Sequence, residues 1–310
     1  MPGRARNIYV EIDIRAPLDR IWRLTQMPDL HQRWDLRFSR IEYLPRPDPA
    51  QPQRFRYSTR IGLGLQIQGE GETVGSHAGP DGQRTSALKF WSDDRKSLIR
   101  QGSGYWKYIP AAGDPQSVRF LTAYDYDVRF GFMGKAIDRL IFRPLIGWAT
   151  AWSFDRLRLW AERDIDPALS MRRSLAHLVA RLTVALVWLY QGVVPKLIAH
   201  HHDELRMLYD AGISRAAGRS LLTAFGWAEL LLGLTLIVFW HARWPLWLTL
   251  VLMPIAVIGV IFATPSFVIA PFNPMTLNLC VFALAVIALL EDHDLPSARR
   301  CRRAPAAEQS

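Results

Sequence analysis

Residues 244–263 read WPLWLTLVLMPIAVIGVIFA, a stretch without one charged residue. A helix rises 1.5 Å per residue, so about 20 apolar residues cover the roughly 30 Å of hydrocarbon in a bilayer. A helix buried in a soluble protein is rarely apolar on every face over such a length. Three neighbouring runs are mostly apolar over a similar length: Ala176 to Ile198, Ala216 to Trp240 and Asn273 to Leu290. The last third of the chain therefore reads as four spanning helices. Trp188, Tyr190, Trp240, Trp244 and Trp247 lie at their borders, as an interfacial aromatic belt requires. Arg172, Arg173, Arg181, Arg243, Arg299, Arg300, Arg302 and Arg303 outnumber the basic residues on the opposite side (Lys196, Arg206, Arg215, Arg219). This excess predicts a bacterial-type inner (cytoplasmic) membrane protein with both termini in the cytoplasm.

The 310-residue chain has a formal net charge of +10 and 50% hydrophobic residues, with the apolar ones concentrated after residue 176. Much of the positive charge is arginine beside apolar runs, where anionic headgroups attract it. No nucleic-acid-binding motif accompanies it, so no nucleic-acid partner is expected. Cys280 and Cys301 are the only cysteines, too few for a disulfide framework or a cysteine-built metal site. The N-terminus lacks the apolar core of a signal peptide. The expected division is a soluble domain over residues 1–165, a linker over 166–175, a membrane domain over 176–290 and a basic, disordered tail over 291–310.

In the soluble part, Ile8, Val10, Ile12 and Ile14 alternate with polar residues at the period of a half-buried strand. Ala16-Pro17 ends it, and LDRIWRLTQ and DLHQRWD supply two short helical pieces. Strand candidates follow at Phe38 to Leu44, Phe55 to Ile61, Leu65 to Val74, Thr85 to Trp91, Leu98 to Ile109 and Val118 to Val128, separated by turn-rich segments. An antiparallel meander is the economical arrangement. Gly134 to Arg163 reads as one long helix whose stripe of Ile137, Ile141, Trp148, Trp152 and Leu159 should lie on the sheet, with a kink near Pro144.

This order, together with IYVEIDIRAPLDRIWRLTQMPDLHQRWD (residues 8–35), resembles the START-like (SRPBCC) helix-grip superfamily over about residues 7 to 163. The resemblance implies an α+β fold, a curved antiparallel sheet around a long C-terminal helix, with a hydrophobic cavity between them. Residues 180 to 290 resemble the DoxX-like family, carried by WLYQGVVPKL (Trp188 to Leu197), DELRML, GWAELLLG (Gly226 to Gly233) and PFNPMTLN (Pro271 to Asn278). It implies an all-α four-helix transmembrane bundle. The family takes its name from a subunit of a quinone-reducing sulfur-oxidising enzyme, so a quinone is the cofactor the resemblance implies. No haem, flavin or iron–sulfur ligand set is evident in the chain.

Candidate ligand-binding residues are Trp91, Trp106, Tyr124, Trp148 and Trp152, aromatics at strand or helix spacing that could line such a cavity. The candidate intramembrane polar residues are Gln191, Lys196, Glu229 and Asn278. Glu229 lies mid-span, where an unpaired carboxylate costs several kcal/mol, so it is protonated or partnered. His200, His201 and His202 with Asp203 and Glu204 are dense in ligand atoms, but adjacent side chains on a helix diverge, and no metal site is predicted. His31 and His77 read as lone surface histidines. GLGLQIQGEG lies between strands, so it is no phosphate loop.

No catalytic constellation is evident, and the expected activity is non-enzymatic. It is a cytoplasmic domain that binds a hydrophobic small molecule or lipid, for exchange with or sensing at the membrane. The alternatives are a quinone-linked membrane oxidoreductase subunit and a structural anchor with a protein-binding domain. Expected partners are the bilayer, an apolar small molecule or lipid, and a protein partner or second copy.

Overall fold

The computed structural model describes residues 7–48, 50–62, 64–79, 82–271 and 273–305. The chain forms two compact units, residues 1–170 with 296–310, and residues 171–295.

The first unit is built on seven antiparallel strands: β1 (Ile8–Ile14), β2 (Arg40–Tyr43), β3 (Gln53–Gly62), β4 (Leu65–Ala78), β5 (Arg84–Trp91), β6 (Ile99–Ala111) and β7 (Asp114–Val128). Their order across the sheet is β1-β7-β6-β5-β4-β3-β2. Every strand expected from alternation is present. Helices α1 (Leu18–Gln26) and α2 (Pro28–Trp34) fill the crossover from β1 to the far edge. After β7 come α3 (Gly131–Ile137), a π-turn (Asp138–Phe142) and α4 (Arg143–Arg163). Pro144 has no N–H to give to the preceding turn, and the π-turn immediately before it takes up that loss. This is a helix-grip fold, with Ile8, Val10, Ile12 and Ile14 of β1 and Val118, Phe120, Tyr124 and Tyr126 of β7 in one core with α4.

Three expectations are corrected. The stripe of α3 and α4 that meets the sheet is not the large apolar one: Ile137, Ile141 and Trp148 are exposed, whereas Gly147, Thr150, Ala151, Phe154, Leu157 and Ala161 are buried. Gly147, Thr150 and Ala151 let the helix approach the sheet closely, Phe154 and Leu157 pack into the core, and Ile137, Ile141 and Trp148 turn away. A Cβ on Gly147 would already lie 3.8 Å from Ile8 Cγ2. The tail is not disordered over residues 296–303. Arg302 and Glu11 exchange backbone hydrogen bonds of 2.9 Å along the open edge of β1, Arg300 contacts Asp155 at 3.0 Å, and the buried Cys301 thiol donates to the Ala151 carbonyl. Burial pushes that thiol up to about 12. Finally, residues 167–175 are not a loop linker, because α5 (Pro167–Gln191) begins at the proline, a favoured first helical residue.

The second unit continues α5 as a π-turn (Gly192–Ile198) and adds α6 (His202–Asp210), α7 (Arg215–Val238), α8 (Trp244–Ala263) and α9 (Pro274–Leu290). Among the described residues three helices, not four, are long and apolar enough to cross a membrane by length and composition: Pro167–Ile198, Arg215–Val238 and Trp244–Ala263. Pro274–Leu290, at 17 residues, is apolar but shorter. Small residues govern the packing: a Cβ on Gly192 would stand 2.7 Å from the Gly226 carbonyl oxygen, and one on Gly233 would stand 2.7 Å from Leu189 Cγ. Val184, Leu236, Leu246 and Ala285 are buried between helices, while Leu186, Val251, Ile255 and Phe262 face outward. An outward apolar surface of that extent suits lipid rather than water.

Candidate functional site

The interior of the first unit holds a charged group that its apolar surroundings would not tolerate alone. Asp35 follows α2, and its carboxylate is wholly buried. Arg37 grips it twice, Nε to Oδ1 at 2.9 Å and Nη2 to Oδ2 at 2.6 Å, and His31 Nε2 lies 3.0 Å from Oδ2. This forked pairing is the strong form of an arginine–carboxylate contact. The His31 ring is held 5.0 Å from Trp34, 5.2 Å from Phe38 and 4.9 Å from Trp106. The Arg37 guanidinium also lies 5.4 Å from the Tyr124 ring, whose hydroxyl shares a 2.9 Å hydrogen bond with Thr150 of α4.

Helix α4 fixes this arrangement from the other side. Arg156 donates to the carbonyls of Trp34 and Arg33 at 3.2 and 3.0 Å, and Ser153 accepts the Leu36 N–H at 2.8 Å. Trp34 Nε1 donates to the Leu24 carbonyl at 2.9 Å, which locks α2 onto α1. Beyond this, Trp106, Phe120 and Phe154 continue the aromatic cluster of the core, with Phe120 and Phe154 stacked at 4.5 Å. The result is a packed aromatic cluster with one cation, one anion and one imidazole beside it.

Burial would raise the Asp35 carboxyl, but the charge and hydrogen bonds of Arg37, joined by His31, outweigh it and hold the group below its usual range. Burial lowers His31 below its ordinary 6.5 despite the opposing pull of Asp35, so the ring is neutral when folded. As pH falls through 6.5 the unfolded chain takes up a proton that the folded ring refuses. Stability from this group is therefore full above 6.5 and is lost below it. We expect the thermal midpoint of the full-length protein, followed by near-ultraviolet dichroism of its tryptophans, to fall between pH 7.5 and 5.5. His31→Gln should flatten that fall, which for one proton is at most about 1.4 kcal/mol per pH unit.

Of the aromatic residues expected at the site, Trp106 and Tyr124 are part of it. Trp152 is buried, but it stacks on Trp148 at 6.2 Å and lies under Arg156 at 5.0 Å. Trp148 is exposed, and Trp91, at the end of β5, lies under Arg54 at 5.9 Å. The sequence reading missed His31, Asp35 and Arg37, and misplaced His31 at the surface. The available signal was HQRWDLRF, in which four charged or titratable residues alternate with large apolar ones and His31 precedes Asp35 by four.

In the second unit, Lys196 and Glu229 meet. Lys196 Nζ donates to Glu204 Oε1 at 3.1 Å and lies 3.1 Å from Glu229 Oε2, an ion contact without hydrogen-bond alignment. The Gly192–Gly226 approach brings the π-turn and α7 close enough for this. Gln191 makes no contact with the pair among the described hydrogen bonds and ion pairs. Asn278 instead lines an apolar pocket of about 380 Å³ between α8 and α9, with Met253, Pro254, Val257, Met275 and Phe282. Arg181, read from sequence as a flanking positive charge, is buried and donates to the carbonyls of Leu236 and Phe239 at 2.8 Å and of Ala242 at 3.0 Å. It caps the C-terminal end of α7. His201, His202 and Asp203, which the sequence reading discounted, bring ligand atoms within 4.8 Å of one another at the surface.

The DoxX-like family model matches residues 185–286. The membrane protein YndG of Bacillus subtilis (strain 168) is 49% identical over 189 residues, which cover 61% of this chain and 69% of YndG. Among solved structures, a STAR-related lipid transfer protein from Xanthomonas axonopodis is similar over 50% of this chain and 94% of its own, at 15% identity and a TM-score of 0.37. A START superfamily protein from Mycobacterium smegmatis covers 48% of this chain and 96% of its own, at 15% identity and a TM-score of 0.33. The strand order and long closing helix of the first unit, with the apolar helices of the second, make this a membrane protein with a helix-grip domain and a DoxX-like domain, and it belongs to the family of YndG.

Proposed function

We propose that the helix-grip domain binds one hydrophobic small molecule or lipid and exchanges it with, or senses it in, the membrane that the same chain enters. The observation that carries this reading is the buried His31–Asp35–Arg37 group beside the aromatic cluster. Ligand sites are mostly apolar with a few placed polar groups that orient the bound molecule, whereas a core built only for stability gains little from a buried ion pair. Arg37 would hold an electron-rich head group, and Trp106 and Tyr124 would flank the apolar body. The tether keeps such a site at a high effective concentration of lipid-soluble molecules.

The topology proposed with it has the helix-grip domain in the cytoplasm at a bacterial-type inner membrane. The chain leaves that domain after Ser170 and rejoins it at Pro296, so the number of crossings between is even. At about 26 Å, α9 is then the return crossing.

The test is native mass spectrometry with lipid extraction on the full chain in mild detergent. One defined apolar molecule is expected, retained by the native protein and by Met275→Trp, which fills the α8–α9 pocket, but lost from Asp35→Ala combined with Arg37→Met, which leaves no stranded charge. Loss from Met275→Trp alone would move the site into the bundle. That outcome would favour the second reading, a quinone-linked oxidoreductase subunit, which the apolar α8–α9 pocket and its single amide, Asn278, support.

A further inference from the structure

The N-terminal half of the closing helix carries an apolar face that the sheet does not use. Phe132, Met133, Leu140, Ile141, Leu145 and Trp148 are all exposed, Phe132 to 87% and Leu140 to 75%. With Ile137, also exposed, Met133, Ile141, Leu145 and Trp148 recur at three- and four-residue steps, and Leu140 adjoins them in the π-turn. The side turned toward the domain is small or polar, with Gly134, Gly147 and the paired Asp138. Elsewhere in this unit exposed large apolar residues occur singly or, as with Ile61 and Leu65 at the β3–β4 turn, in a pair; a run of six marks a contact surface.

Three further features identify the partner. Lys135 and Arg139, one turn apart and both exposed, border the stripe, and neither has a carboxylate partner among the described residues. Arg143 is already taken, at 2.9 Å from both Asp125 and Asp138. The face thus offers unpaired cations beside an apolar stripe, and a tryptophan at its end. That composition suits the boundary between headgroups and acyl chains in an anionic bilayer. Next, the turn that leads into this face is fixed. Phe130 adopts φ 66° and Gly131 φ 53°, and a Cβ on Gly134 would clash with the Arg129 carbonyl oxygen. A bulky residue in the left-handed region costs about 1 kcal/mol or more, so a constraint holds it there. Last, α4 ends at Arg163 and the first spanning helix begins at Pro167. Trp148 is about 23 Å along the helix from that junction, so docking is intramolecular and a weak contact suffices.

We propose that the face made by Phe132, Met133, Leu140, Ile141, Leu145 and Trp148, with Lys135 and Arg139, lies in the plane of the anionic lipid surface of the bilayer the chain spans. The helix-grip domain is then held on the membrane by two points, the α5 junction and this face. The inference does not depend on any ligand at the His31–Asp35–Arg37 group. Ligand retention can fail while docking holds, and the reverse.

The experiment uses the full chain with Cys280→Ser and Leu140→Cys, labelled with the environment-sensitive dye NBD and placed one copy per nanodisc. Doxyl-labelled lipids report contact, and a matching label at Ile61→Cys, an exposed apolar residue of β3, is the reference. We expect quenching at position 140 well above that at 61, stronger when phosphatidylglycerol is present than in phosphatidylcholine alone. Lys135→Gln and Arg139→Gln should each lower the docked-to-undocked ratio about five-fold. Quenching at 140 no greater than at 61 would overturn the proposal, as would quenching indifferent to both substitutions. A blue shift at 140 that appears only in two-copy discs and without doxyl quenching would overturn it in favour of a second copy of this chain. Because positions 135, 139 and 140 are exposed, these variants retain the core of the domain.

Discussion

Asp35→Ala should cost the helix-grip domain about 3–5 kcal/mol, the penalty for leaving a buried charge without its partner. The Arg37 guanidinium loses both hydrogen bonds to a carboxylate that has no exposed surface, and His31 loses its contact with the same oxygen pair. Domains are stable by only about 5–15 kcal/mol, so much of the variant should be recovered unfolded or degraded. Asp35→Asn keeps the shape and one acceptor and should fall between the two. The decisive variant is Asp35→Ala combined with Arg37→Met. Removing both charges avoids the stranded cation, and the thermal midpoint should return most of the way to that of the native protein. If the double variant is as unstable as Asp35→Ala, the loss comes from packing and not from charge. Under the ligand reading the rescued variant folds but retains no bound molecule, which separates the structural role of the pair from its proposed binding role.

Lys196→Met is the second large effect, expected in the membrane domain. Lys196 bridges Glu204 and Glu229 at 3.1 Å each, and without it two carboxylates converge with no cation between them. Glu229 stands well inside α7, where a lone carboxylate must be neutralised or leave its place. A loss of about 3 kcal/mol is expected at neutral pH, read as a lower midpoint for thermal aggregation in detergent. Glu229→Gln introduced beside Lys196→Met should recover a substantial part of it, and the remainder belongs to Glu204. A double variant no better than Lys196→Met would show that Glu229 and Lys196 are neighbours without energetic coupling.

Much of the fold was legible in the residues. The alternation of Ile8, Val10, Ile12 and Ile14, the turn-rich separators and the return of alternation through Tyr126 located all seven strands. The charge-free run at 244–263 located the membrane domain. The helix stripe was not legible, because Ile137, Ile141 and Trp148 obey helical spacing as well as Gly147, Ala151 and Phe154 do. Spacing tells which residues share a face but not which face the sheet will accept. The sheet accepted the face that sets Gly147 and Ala151 beside Phe154, since the small residues allow a close approach and the large one fills the core.

The candidate site was harder to read for a related reason. Trp106 and Tyr124 could be found by their size, but His31, Asp35 and Arg37 look like surface residues on a short helix until α4 closes over them. Their burial depends on Arg156 and Ser153, more than a hundred residues away in sequence. The tail followed the same rule: ARRCRR reads as a solvated basic end, and the unpaired edge of β1 together with Asp155 turns it into a packed segment.

What the sequence by itself determined is therefore local: period, length, charge and the order of elements, each set by interactions within a few residues. What only the tertiary structure decided is which faces meet, that Lys196 reaches Glu229, that Arg181 caps another helix, and that Asp35 is buried with its arginine. Those outcomes rest on long-range packing and on the need to satisfy every charge taken out of water, and neither is recorded in the spacing of residues along the chain.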